Sequence, residues 1–189
     1  MKKIIISAAI LLLGIGSSKA QFEISNLSIG AGLAPSMYFA DGLGTFTSSF
    51  CGKLQYEADD NFYYGDVIYS TKDFQELANT KLVFTHINGG LGRYFVGSSD
   101  DNLSVAGKIG AGLSMYSMTY DAATEEISDG SWNINGGVVA TYSISDAIKL
   151  FGEAGLIFSA GTYNSQSNGT ASPEFNNVCF QVGAKFRFQ

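Results

Sequence analysis

The stretch Val178-Cys179-Phe180-Gln181-Val182-Gly183-Ala184-Lys185-Phe186-Arg187-Phe188 decides the fold. Its even positions are apolar throughout, and its odd positions are Cys, Gln, Gly, Lys and Arg. Successive side chains on a strand point to opposite faces, so this segment reads as a β-strand with one apolar face and one mostly polar face.

The alternation recurs towards the N-terminus. Leu103, Val105, Ile109, Ala111, Leu113 and Met115 oppose Ser104, Lys108, Gly110, Gly112 and Ser114. Ile134, Val138, Ala140, Tyr142 and Ile144 oppose Asn133, Asn135, Thr141 and Ser143. Ile148, Leu150, Ala154, Leu156 and Phe158 oppose Lys149, Glu153, Gly155 and Ser159, with Phe151 and Ile157 on the polar side. Phe46, Phe50, Leu54 and Tyr56 oppose Thr45, Ser49, Lys53, Gln55 and Glu57, and Leu27, Ile29 and Leu33 oppose Ser28, Gly30 and Gly32. Two less regular segments, Phe62–Thr71 and Lys81–Phe95, complete a set of eight strands, and Gly89-Gly90 reads as a bulge in the second of them.

Strands beyond ten residues are long for a soluble sheet and suit a tilted membrane strand. The connections Pro35–Gly44, Lys72–Thr80, Asp121–Gly130 and Asn164–Glu174 are long. Those at Ala58–Asn61, Gly97–Asn102 and Ser145–Ala147 are shorter. Alternating long and short connections are the pattern of extracellular loops and periplasmic turns. The expected fold is therefore all-β: an eight-stranded antiparallel transmembrane β-barrel, wound as an up-and-down meander.

Residues 1–20 read as a cleaved signal peptide, which implies export. Lys2 and Lys3 precede the apolar run Ile4–Ile15, and Gly16-Ser17-Ser18-Lys19-Ala20 supplies small residues before Gln21. Residues 21–189 form the expected barrel domain. No later apolar run reaches the ~18 residues of a membrane helix, so a membrane location requires a closed barrel. Removing the signal takes away three lysines, leaving 8 Lys+Arg against 17 Asp+Glu, net −9. That acidity excludes nucleic acid as a partner.

Which face meets solvent separates a membrane barrel from a soluble ligand-binding barrel of the lipocalin kind. Gly30, Gly32, Gly110, Gly112, Gly137, Gly155 and Gly183 crowd the polar face, as expected where a narrow lumen needs small residues. Aromatic residues near strand ends on the apolar face fit interfacial girdles. The apolar side then faces outer-membrane lipid. Lys53, Glu57, Lys108, Lys149, Glu153, Lys185 and Arg187 face the lumen, where buried charges must pair. An eight-strand interior is just wide enough to be filled by side chains, so a plugged polar core is expected, with a narrow ion path as the alternative. Cys51 and Cys179 flank the first strand from two sides, about 9–10 Å apart, too far for a disulfide.

The chain resembles the small porin-like outer-membrane β-barrels of Gram-negative bacteria, especially the Bacteroidota type. The resemblance spans 21–189 and rests on the signal ending SKAQ, the opening strand LSIGAGLAPSMYF and the closing strand VCFQVGAKFRF. It implies an outer-membrane location and recognition of the terminal aromatic strand by the barrel-assembly machinery, although here Gln189 follows Phe188. Some similar barrels deacylate or acylate lipids, which requires a nucleophile, a base and an orienting group together. The single histidine, His86, has no sequence-marked partner, so no catalytic residue is assigned and no enzyme is expected. No cofactor motif or metal-ligand spacing is present. The expected function is structural or surface-interacting, carried by the long loops towards an extracellular ligand of unspecified chemistry. A narrow porin-like channel for small solutes or ions is the alternative.

Overall fold

The computed structural model describes residues 23–40, 43–74, 80–119, 126–165 and 176–188. The expected signal segment lies outside them, as does most of the Asn164–Glu174 connection. After a short 3-10 turn at Ile24–Asn26 come β1 (Leu27–Leu33), β2 (Ser36–Ala40), β3 (Leu43–Ala58), β4 (Asn61–Phe74) and β5 (Thr80–Val96). They are followed by β6 (Leu103–Thr119), β7 (Glu126–Ser143), β8 (Ile148–Ser165) and β9 (Asn176–Arg187). β1 and β2 are two halves of one barrel strand, each pairing with β3 on one side and β9 on the other. They separate at Ala34-Pro35, where proline has no N–H to give the ladder. Ala34 N–H donates to Ser49 O at 2.7 Å and Phe180 N–H to Pro35 O at 3.0 Å, so the pairing resumes past the break. The result is a closed, eight-stranded antiparallel meander.

The register fixes the barrel's dimensions. Stepping from Gln55 to its cross-strand partner Tyr64, and on through Gly90, Gly110, Asn135, Ile157, Asn177 and Tyr38, returns to β3 at Thr45. The path has slipped ten residues, from 55 to 45, in one circuit of eight strands. With ~3.3 Å per residue and ~4.7 Å between strands this shear sets a tilt of about 41°, so each residue climbs about 2.5 Å along the axis.

The apolar face looks outward. Ile29, Phe50, Phe180 and Val182 are each more than half exposed, whereas Lys185 and Glu153 are buried at 4% and 6%. Trp132, about a third of the way along β7, and Tyr142, beside its short-turn end, project outward. Their ten-residue separation corresponds to about 25 Å along the axis, the height expected of the apolar band of a membrane barrel. Among the described residues no helix is long and apolar enough to cross a membrane; the barrel crosses with its strands.

Several expectations need correction. The Pro35–Gly44 connection is mostly strand, because Ser36–Ala40 continues the alternation as β2 and β3 begins at Leu43. Strand also enters the other expected long connections: β4 runs to Phe74, β5 begins at Thr80, β7 begins at Glu126 and β8 runs to Ser165, while residues 75–79, 120–125 and 166–175 lie outside the described residues. Gly89-Gly90 is not a bulge. Pairing runs unbroken through Gly65↔Gly89 and Tyr64↔Gly90, and the register shift on β5 comes at Tyr94/Val96. The glycines serve a different purpose: a Cβ at Gly90 would collide with neighbouring backbone and the Tyr64 ring, one at Gly110 with backbone and the Tyr64 hydroxyl, and one at Gly92 would enter the Phe62 ring. Tyr64 and Phe62 are the cross-strand partners of Gly90 and Gly92, so two inward rings from β4 lie over glycines on β5. Phe151 and Ile157, which break the alternation of β8, are buried in the lumen with them. The remaining short connections agree with expectation; at the Asp59-Asp60 turn, Asp59 adopts φ 55°, a left-handed conformation that Asp tolerates.

Candidate functional site

The candidate site is the lumen, where the seven expected residues separate into two layers. At its centre Lys53 on β3 and Lys108 on β6 converge on Glu153 of β8. Lys53 Nζ lies 2.6 Å from Oε2, and Lys108 Nζ 2.6 Å from Oε1. A fourth member, Asp66 on β4, accepts from Lys108 at 2.9 Å and lies 3.9 Å from Lys53. Two cations and two carboxylates thus form a closed quartet, each side chain less than one-tenth exposed. Buried charges persist only when paired and hydrogen-bonded, and the surroundings meet that need. Asn88 donates to Asp66 at 2.7 Å and Gln181 to Glu153 at 3.1 Å. The Lys108 ammonium sits 4.3 Å from the Tyr64 ring centroid and Lys53 5.1 Å from that of Phe151.

Below this, towards the short turns, lies a second layer. Glu57 accepts from Tyr94 Oη at 2.9 Å and from Gln55 Nε2 at 2.7 Å, and Lys185 donates to Gln55 Oε1 at 3.0 Å. Lys149 donates to the Ser99 carbonyl. Arg187 reaches Ser25 O at 2.6 Å and Asp100 on the Gly97–Asn102 turn at 2.5 Å. The Arg187 hydrogen bond holds the exposed Asp100 carboxyl below its ordinary range. Lys149, Lys185 and Arg187 are therefore held by neutral and backbone groups and by a rim carboxylate, apart from the central quartet.

Above the quartet, alternation alone gave no sign of a third layer. His86 Nε2 is 3.0 Å from Tyr38 Oη and its Nδ1 is 2.8 Å from Ser114 Oγ. Tyr38 continues to Ser70 at 2.9 Å, and Asn133 donates to Ser114 at 2.9 Å. The Phe84 ring stacks on Tyr38 with centroids 4.1 Å apart. A base beside a hydroxyl is half of an acyl-transfer arrangement, but His86, Tyr38 and Ser114 are each at most 5% exposed, inside a filled lumen. Packed in this way, the cluster serves as an internal hydrogen-bond network. Cys51 and Cys179 are both free and buried, as the strand spacing requires. Among the described residues no group of side chains is arranged to hold a metal ion.

Around the quartet the lumen has almost no free space. The cavity lined by Lys53, Asp66, Lys108 and Glu153 leaves about 10 Å³ for a water's centre, at the limit for a single molecule.

Asp66 escaped the sequence reading because β4 carries aromatics on both faces. Phe62 and Tyr64 point in while Tyr63 and Tyr69 point out, so parity there does not separate polar from apolar. Asn88 and His86 were hidden similarly beside the paired glycines of β5.

Comparison with known proteins agrees with this architecture. No protein-family model matches the chain, and no curated protein matches it in sequence. Among solved structures, neisserial surface protein A superposes with a TM-score of 0.70 at 10% identity, covering 86% of this chain and 97% of that one. Ail, the attachment invasion locus protein of Yersinia pestis, solved with the heparin analogue sucrose octasulfate, gives 0.57 at 20% identity over 86% and 97%. A major outer membrane protein of Thermus thermophilus gives 0.52 at 14% over 85% and 99%. The chain has the fold of an outer-membrane β-barrel. With its apolar belt outward and its charges enclosed, an outer membrane is the location that fits both faces.

Proposed function

We propose that this barrel is a closed outer-membrane scaffold whose work is surface interaction, carried by the segments at the end opposite the short turns. The observation that supports this most directly is the quartet: Lys53, Asp66, Lys108 and Glu153 bridge the lumen, and the space beside them holds about one water. A conducting path would need those pairs broken and the Phe62, Tyr64 and Phe151 rings displaced. Rigid scaffolds commonly carry binding on their loops, and a plugged eight-strand barrel leaves little else for solutes to meet.

The chemistry of the partner is constrained by charge. Residues 41–42, 75–79, 120–125 and 166–175 contain Asp41, Glu76, Asp121, Glu125 and Glu174 and no Lys or Arg. A polyanion of the kind held by Ail in its complex would be repelled here, so the proposed partner is neutral or cationic. Residues 1–20 are proposed as a cleaved signal, and β9, ending in Phe186 and Phe188, as the element read by the barrel-assembly machinery. The opening strand LSIGAGL supports a Bacteroidota-type assignment.

The test is planar-bilayer conductance of the purified protein with parallel binding to cationic, neutral and sulfated probe surfaces. An electrically silent barrel that binds the first or second and loses binding when 166–175 is shortened is expected. Steady conductance abolished by Lys108→Met would replace this reading with a pore.

A further inference from the structure

The outer wall carries one feature that its role as a hydrocarbon surface does not explain. Arg93 is on β5, points outward and is exposed. Its cross-strand partners are Asn61 on β4 and Gly107 on β6, neither of them charged. Among the described residues it forms no ion pair or hydrogen bond. Every charged group of the quartet and of the layer below it is enclosed or held at the rim. Among the described residues, Arg93 alone stands unpaired on the apolar side between the two aromatic levels.

Its height is informative. Phe95 and Val96, 63% and 50% exposed, form the lower edge of the apolar face on β5, and Arg93 lies two residues nearer the membrane centre than Phe95, about 5 Å along the axis. At that depth an arginine stem lies along the wall while its guanidinium turns towards the headgroups. The neighbouring surface leaves room for this. A Cβ at Gly107 would meet only the Phe95 ring, at 3.8 Å, so the wall is recessed beside Arg93. Phe95 borders the recess, and Tyr63, half-exposed on β4, lies on the other side of Arg93, an apolar and an amphipathic ring suited to the membrane interface.

We propose that Arg93, beside the recess at Gly107 and flanked by Tyr63 and Phe95, binds the phosphate of a membrane phospholipid in the leaflet on the short-turn side. A guanidinium matches phosphate oxygens through two parallel N–H bonds, and phosphate is the group that headgroups present at the level to which the Arg93 guanidinium turns. The recess admits the start of an acyl chain beside the Phe95 ring, and Tyr63 packs on the other side of the Arg93 stem. The inference rests on the membrane-spanning reading, so its test must fail separately from that reading.

The full chain is refolded into phosphatidylcholine vesicles, and insertion is checked by protease protection. The same protein in mild detergent is then titrated with phosphatidylglycerol and observed by native mass spectrometry. One retained phosphatidylglycerol is expected, with occupancy at least fivefold lower in Arg93→Gln and partly restored in Arg93→Lys. Diacylglycerol, which has similar tails and no phosphate, should not be retained, and inorganic phosphate should not displace the lipid. Equal retention in Arg93→Gln, or equal retention of diacylglycerol, overturns the site and leaves the barrel assignment intact. Displacement by inorganic phosphate overturns the lipid source in favour of a simple anion site. Failure of the wild type to insert overturns the membrane reading itself.

Discussion

Lys108 on β6 and Glu153 on β8 meet inside the lumen at 2.6 Å, with the whole of β7 between their strands. The pair is a strut across the barrel interior, and the second bond of Glu153, to Lys53 on β3, extends it to the opposite wall. Strands that are not hydrogen-bonded neighbours are thereby tied through one carboxylate.

Removing that carboxylate leaves two buried ammonium groups facing only Asp66. Breaking a buried pair by deleting one partner typically costs about 3–5 kcal/mol, and Glu153→Gln is expected in that range. Urea unfolding of the vesicle-refolded protein measures it. Replacing Lys108 by Met and Glu153 by Leu together should cost less than the sum of the two single changes, because neither variant group then leaves the other stranded. Additive losses would show that the strut contributes nothing as a unit.

Gly92 tests the packing of rings over glycine. Its missing Cβ makes room for the Phe62 ring, so Gly92→Ala forces overpacking, worth about 1–3 kcal/mol. Phe62→Leu, which shortens the side chain at its cross-strand partner, should recover part of the loss in the double variant. The same unfolding assay reads both, and a neutral Gly92→Ala would contradict the packing described.

The strand faces were legible because side-chain parity is local: one residue's shift would exchange every inward group for an outward one. Hence Lys53, Lys108, Glu153 and Lys185 could be placed inside from alternation alone. Which of them meet is a different matter. It depends on the shear of the closed barrel, which brings residue 53 level with 153 and 108 and sets 185 lower, and shear is a property of all eight ladders. Asp66 was lost to the double-sided aromatics of β4. The Pro35–Gly44 connection was overestimated because Ser36–Ala40 follows a proline, a turn signal that here only interrupts a strand already paired on both sides.

The thiols give a third prediction. Cys51 and Cys179 point into a filled lumen on strands separated by β1 and β2. A water-soluble maleimide should therefore label neither in the folded protein and both after unfolding. Electrophoretic mobility should not depend on reductant. A reductant-sensitive band in the monomer would require a different register.

His86 provides the last prediction. Its two nitrogens connect Tyr38 to Ser114, and each of those hydroxyls keeps a second partner, Ser70 and Asn133 respectively. His86→Leu preserves much of the volume and removes both bonds, so the loss should be that of a partly satisfied buried network, about 1–3 kcal/mol. His86→Gln offers a donor and an acceptor on a flexible stem and should recover part of it. If the histidine were instead a general base, both variants would abolish any esterase activity alike while stability followed side-chain volume. A stability order of wild type, then Gln, then Leu, measured by urea midpoint with barrel circular dichroism unchanged, identifies His86 as the link that joins the upper lumen across β2, β5 and β6.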